Sequence, residues 1–184
     1  FASLGRIIMN KTVIIIPSRL DAKRLPNKPL ELINNKEMIL HVYEAAKKTN
    51  SEVIIATPDQ KIIDAVNQSK GQAVLTSIDH QTGTDRVYEV FKSHLRSEPD
   101  LVVNLQGDMP NINHNDISDL INYMQQGNCD IGTLASSFRS DVELADENNV
   151  KVAVKDKLIT GKFSEAIDFF RVDKKKYENF HHHV

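Results

Sequence analysis

Four short apolar runs rich in β-branched residues, each followed by an amphipathic stretch, constrain this chain more than any other feature. They are "TVIIIP" (12–17), "EVIIAT" (52–57), "QAVLT" (72–76) and "LVVNLQ" (101–106), followed by segments 37–49, 59–69, 85–96 and 114–126. Runs this short and this apolar read as strands buried on both faces, and the intervening stretches read as helices. Ile39, Val42, Tyr43 and Ala46 recur at helical spacing, as do Ile62, Ile63 and Val66, and Val87, Val90 and Phe91. Strand and helix in alternation predict βαβ units, so the expected fold class is α/β: a mixed, mostly parallel, Rossmann-like sheet with helices on both faces. Asp59 and Asp85 are the expected N-caps of two of those helices. After residue 130 the pattern changes. "IGTLASSF", "VKVAVKD" and "LITGKF" read as strands, the last two joined by a tight Asp156-Lys157 turn.

In open sheets of this kind ligands bind beyond the carboxyl ends of the strands, so the loops that follow them are where chemistry is expected. The loop after the first strand, within "IIIPSRLDAKRLPNK" (14–28), carries Arg19, Lys23, Arg24 and Lys28 and no glycine. It is neither a Walker loop nor a GxGxxG turn, which leaves side chains rather than backbone amides to meet an anion. Arginine forks grip phosphate oxygens bidentately and lysine acts as a point charge. Pro26 and Pro29 stiffen the loop and reduce the entropy lost in gathering like charges. The other reading is a solvated loop whose cations pair with nearby acids. The formal net charge of −2 makes these cations a local feature and excludes the global basic field that draws a protein to nucleic acid.

In "NLQGDMP" (104–110), Asp108 sits at a strand end between Gly107 and Pro110. A carboxylate there is a hard-oxygen ligand suited to Mg²⁺, or else simply the cap of a turn. "DHQTGTDR" (79–86) enters a helix, where Thr82, Gly83 and Thr84 can offer backbone amides. Arg86 in a first helical turn opposes the macrodipole and calls for a partner. The run "HHH" (181–183) is a poor zinc site, since on an extended strand only His181 and His183 share a face. No GxSxG motif is present. A lone Cys129 cannot form an internal disulfide and fits a reducing compartment, and no apolar run approaches the ~20 residues that cross a bilayer.

In this order, "PSRLDAKRLPNKPL", "DHQTGTDR" and "NLQGDMP" resemble the loops of the sugar cytidylyltransferases, and within them the CMP-Kdo synthetases. The string R-x-x-x-x-R-L-P-x-K-P-L is the most specific part. CMP-sialic acid synthetases, whose first loop is richer in glycine, are the alternative. The resemblance runs from about Thr12 to Val184 and implies a nucleotide-diphospho-sugar transferase fold. It implies transfer of CMP from CTP to the anomeric hydroxyl of 3-deoxy-D-manno-octulosonate (Kdo), with pyrophosphate released, for lipopolysaccharide synthesis. Mg²⁺ as cofactor, a cytoplasmic homodimer, and no nucleic-acid partner or membrane insertion are implied with it.

By the same resemblance Arg19, Arg24 and Lys28 hold the triphosphate, with Lys28 facing the most charge development. Thr84 and Arg86 place the cytidine, Gln106, Arg171 and His183 contact the sugar acid, and Asp108 binds the metal. The chain departs from the family where Asp85 replaces a glutamate, Met109 an acid, and Glu165 an arginine. One domain is expected over 9–184, with residues 1–8 outside it. The family's C-terminal part, with a second metal-binding aspartate, has no counterpart before Val184. A piece ending there is expected to turn over little, and a non-catalytic CTP-binding fragment is the other expectation.

Overall fold

The computed structural model describes residues 11–21, 25–127, 129–172 and 177–184, which fall into two compact units that divide after Gln126. The first unit is built on four parallel strands in the order β5-β4-β1-β6, where β1 is Thr12–Pro17, β4 Glu52–Thr57, β5 Ala73–Leu75 and β6 Leu101–Asn104. Between them lie α1 (Met38–Lys47), α2 (Gln60–Gln68) and α3 (Gly83–Ser93), and α4 (His114–Gln125) follows β6.

The two-residue period of β1 divides its side chains between two cores. Ile14 and Ile16 join Val53 and Ile55 beneath α1, α2 and α4, where Ile39, Val42, Ile62, Val66, Ile117 and Ile121 pack. Val13 and Ile15 point the other way, with Ile54 and Ala56, against Val87 and Val90 of α3. A strand apolar on both faces is what burial on both sides demands, and the expected α/β class with helices on both faces is the one observed.

Of the two expected caps, one holds its position and one is corrected. Asp59 stands at the N-cap of α2 but makes no side-chain cap; its carboxylate instead accepts the Leu20 amide at 2.8 Å. Thr82, not Asp85, caps α3. Its hydroxyl accepts the Asp85 amide at 3.1 Å and Asp85 reaches back to the Thr82 amide at 3.1 Å, a capping box whose third helical residue is an aspartate. The Thr82 hydroxyl also bonds the Asp85 carboxyl and, as the largest influence, holds it below its ordinary range. A small hairpin that periodicity did not reveal joins β2 (Leu32–Ile33) to β3 (Lys36–Glu37). Asn34 and Asn35, at φ 49° and 61°, supply the two left-handed residues of its turn.

The second unit carries an antiparallel sheet in the order β7-β10-β8-β9, with β7 at Ala135–Ser136, β8 at Lys151–Val154, β9 at Ala166–Phe170 and β10 at Phe180–His183. A short helix, α5 (Asp141–Ala145), precedes β8. The strand expected at "LITGKF" does not form, and the partner of β8 is β9. Gly161 at φ +74° and the bond from the Lys162 amide to the Ile159 carbonyl turn the chain there. Strand pairing resumes at Ala166, opposite Val154, and runs to Phe170, which is buried opposite Lys151.

Lys151 is wholly buried, and its ammonium donates to the carbonyls of Asp146, Asn149 and Arg171 at 3.0, 3.2 and 2.8 Å. Three carbonyls satisfy its three donors without a carboxylate. Lys151→Met keeps the length but orphans those acceptors, so a loss of about 1–3 kcal/mol is expected in urea unfolding, more than for any exposed lysine replaced alike.

Candidate functional site

Pro17 ends the central strand, and two loops come to rest on it. A Cβ on Gly107 would lie 2.9 Å from the Pro17 carbonyl oxygen and 3.2 Å from Ile39 Cδ1; a Cβ on Gly83 would lie 3.2 Å from Pro17 Cγ. Glycine at 107 therefore lets the loop after β6 pass in contact with the end of β1. That passage sets Asp108 beside the first loop, where its carboxylate meets Lys28 Nζ at 2.9 Å. The first loop is itself tied at Leu20, whose amide donates to Asp59 and whose carbonyl accepts the Asn27 amide at 3.1 Å. Asn27, at φ 59°, then starts the 3₁₀ turn Lys28–Leu30, which carries the buried Pro29.

Two adjoining hollows result, sharing Pro17, Ser18, Arg19 and Gln106. The first is completed by His80, Gln81, Thr82, Gly83 and Arg86, the second by Lys28, Pro29, Met38, Gly107 and Asp108. Their volumes, about 130 and about 140 Å³, each fall below the ~300–1,000 Å³ usual for a drug-sized ligand, so an elongated molecule would have to span both. Arg19 lies on the shared wall and makes no hydrogen bond or ion pair among the described residues. The second hollow thus presents two cations and one carboxylate.

The structure brings Arg19, Lys28, Arg86, Gln106 and Asp108 to this cleft. Arg86 is 3% exposed and already committed: its Nη1 donates to the Thr76 hydroxyl and, at 2.9 Å, to the Ser77 carbonyl. The partner that its place in the first turn demanded is therefore the loop after β5. Burial pushes its guanidinium downward and the nearby Arg19 adds to this, while Glu89 and Asp59 oppose it. Thr84 lines neither hollow; its hydroxyl accepts from Asn104 Nδ2 at 3.4 Å. Arg24 lies outside the described residues.

Arg171 and His183 belong to the second unit. The Arg171 guanidinium donates to the Asn148 carbonyl at 2.8 Å. His183 Nε2 lies 2.9 Å from the Thr133 hydroxyl, with the Phe169 ring edge-on at 5.1 Å. Burial, then the neighbouring His182, depresses the His183 pKa and favours its neutral ring. Sequence reasoning missed His80, Gln81 and Ser18 as lining residues and Asp59 and Glu89 as supports. His80 stood inside a motif singled out for its threonines and glycine, whereas Glu89 reads as an ordinary helical surface residue.

Among the described residues no group of three or more His, Cys, Asp or Glu side chains could hold a metal. Asp108 alone, 56% exposed in its side chain, offers a carboxylate at the cleft. That suits Mg²⁺ carried in with a phosphate ligand, which commonly uses one or two protein carboxylates, and does not suit an all-protein cage.

A family model described as cytidylyltransferase matches residues 13–183. The chain belongs to the cytidylyltransferase family. It is 40% identical over 148 residues to a 3-deoxy-manno-octulosonate cytidylyltransferase of Thermodesulfovibrio yellowstonii, a match covering 77% of this chain and 58% of that protein. An 8-amino-3,8-dideoxy-manno-octulosonate cytidylyltransferase of Shewanella halifaxensis is 35% identical over 178 residues, covering 95% of this chain and 72% of that one. A solved CMP:2-keto-3-deoxy-manno-octonic acid synthetase complexed with CTP superposes at a TM-score of 0.81 with 35% identity, over 95% of this chain and 71% of that chain. The chain thus spans 58% of the length of the first of these relatives.

Gly107→Ala is expected to force the loop off Pro17, lowering stability by roughly 1–3 kcal/mol and separating Asp108 from Lys28. Urea unfolding and the Asp108 carboxyl carbon shift check the two effects, and an unshifted carboxyl would show that the contact does not set the loop.

Proposed function

We propose that this cytidylyltransferase transfers CMP from CTP to the anomeric hydroxyl of Kdo, giving CMP-Kdo and pyrophosphate. The observation that carries the reading is the cleft at the end of β1, where Lys28 and Asp108 meet beside Arg19 in a chain 40% identical to a Kdo cytidylyltransferase. The sugar hydroxyl releases its proton to solvent as its oxygen bonds to the α-phosphorus, the bond from that phosphorus to the bridging oxygen breaks, and the electron pair leaves with pyrophosphate. Both substrates are anionic, so the cations of the first loop shield their approach. Lys28 and Arg19 act most strongly where charge accumulates on the leaving group. Asp108 would hold the Mg²⁺ that, when bound, lowers the pKa of the attacking hydroxyl and spreads phosphate charge. The first hollow takes the base. Gln106 is the proposed contact to the sugar acid in the first unit; the assignment of Arg171 and His183 to the sugar rests on the family resemblance alone.

The resemblance also supports a homodimer working where CTP is made, in the cytoplasm. Exposed Ile159, Phe163, Ile167 and Phe169 in the second unit give a second copy apolar surface to cover. Among the described residues no helix is long and apolar enough to cross a membrane.

The test is pyrophosphate release with CTP and Mg²⁺, offered Kdo, its 8-amino analogue or N-acetylneuraminate, alongside CTP binding measured by calorimetry. Release with an octulosonate and not with N-acetylneuraminate is expected. Release with N-acetylneuraminate alone would move the chain to the sialic acid branch, and CTP binding without release would reduce the role of this chain to nucleotide binding. Lys28→Ala and Asp108→Asn should each lower kcat/KM by roughly 10²–10³-fold if they meet the transition state as proposed.

A further inference from the structure

The loop between β5 and α3 is fastened by two residues three apart on one face of α3. Arg86 holds the Ser77 carbonyl and the Thr76 hydroxyl. Glu89 accepts the Ser77 amide at 3.0 Å and lies 2.5 Å from His80 Nε2. Although burial pushes the Glu89 carboxyl upward, the bonds from His80 and Ser77 hold it below its ordinary range. An ionised carboxylate can only accept, so Nε2 donates, and a neutral ring donating from Nε2 leaves Nδ1 as an acceptor.

His80 lines the first hollow, and Nδ1 makes no hydrogen bond among the described residues. The neighbouring polar groups are largely fixed. Arg86 is committed, Gln81 Nε2 donates to the Asp79 carbonyl at 3.1 Å, and the Thr82 hydroxyl and amide are used in the capping box.

We propose that Glu89, by fixing the tautomer of His80, presents Nδ1 as an acceptor to the base in the first hollow and so selects a pyrimidine with an exocyclic amine over one with a keto oxygen. The inference rests on the nucleotide reading given above and adds the residues that set base specificity. An amine can donate to Nδ1, whereas a keto oxygen there sets acceptor against acceptor and leaves both unpaired.

The experiment measures CTP and UTP dissociation constants by calorimetry with Mg²⁺ and no sugar, at pH 8.5, for the wild type, Glu89→Gln and His80→Phe. The wild type should prefer CTP. Glutamine at 89 can donate as well as accept, so the tautomer is no longer imposed and the CTP-over-UTP ratio should fall about five- to tenfold. His80→Phe should lower the ratio by a similar factor. A merely structural role would weaken both nucleotides alike and leave the ratio unchanged, which would overturn the proposal. The ¹⁵N shifts of His80 provide a readout in the unaltered protein: a protonated Nε2 with a bare Nδ1 is expected, and the reverse overturns the assignment. A wild type that binds neither nucleotide removes the cytidylyltransferase reading as well, whereas CTP preference that survives both substitutions removes this inference alone.

Discussion

The approach of the Gly107 backbone to the Pro17 carbonyl, where a Cβ would stand 2.9 Å away, is the contact on which the cleft depends. β1 lies between β4 and β6, buried on both faces, so its end is held by neighbours on every side but the one facing the loops. Pro17 closes that strand, and the Ser18 amide still bonds the Ala56 carbonyl at 2.9 Å, so the rigidity of the sheet extends one residue past the strand itself. Loops that pack on this point inherit its position. Lys28 and Asp108, 80 residues apart, meet because each is led there by a local device: the tie at Leu20 and the 3₁₀ turn for one, the missing Cβ of Gly107 for the other.

The electrostatic arrangement is easily exchanged. The Lys28–Asp108 pair is exposed by 37% and 56% at its side chains, and exposed pairs of this kind contribute about 0–1 kcal/mol. Either partner can be given up to a stronger one, the ammonium to phosphate and the carboxylate to a hard cation, at small cost. Buried Arg86 is the opposite case. Its charge near Arg19 is unfavourable, and the hydrogen bonds to Thr76 and Ser77, with the field of Glu89 and Asp59, offset that. Replacing it would release the loop, so its contribution to any ligand passes through loop position.

The parallel sheet was legible because β-branched runs and helical periodicity are local signals, and the loops at strand ends followed from topology. Arg19, Lys28 and Asp108 could be named because their motifs lie directly after strands, whereas Gln106 entered only through the family resemblance. What periodicity did not show was set by tertiary partners. The carboxylate of Asp59 went to Leu20 across 39 residues, where a cap was the local expectation. "LITGKF" has the composition of a strand, but Gly161 turns it and β8 pairs with the less regular β9. Asn34-Asn35 was a readable turn signal, but its flanking strands of two residues each gave no period to notice.

The same distinction between local signal and tertiary use explains how a helix can fasten a binding loop without lending its own terminus to the ligand. The N-terminus of α3 spends the Thr82 and Asp85 amides within its capping box, which leaves fewer backbone donors for an incoming group. Further along the helix, Arg86 and Glu89 divide the work on one loop, the cation taking the Ser77 carbonyl and the anion the Ser77 amide. The two peptide units that flank Ser77 are therefore each held by a charge-assisted bond, and neither can rotate without breaking one. His80, three residues on and bonded to Glu89, is tied to the same helix face, and through it α3 reaches one wall of the first hollow, whose other wall is the end of β1.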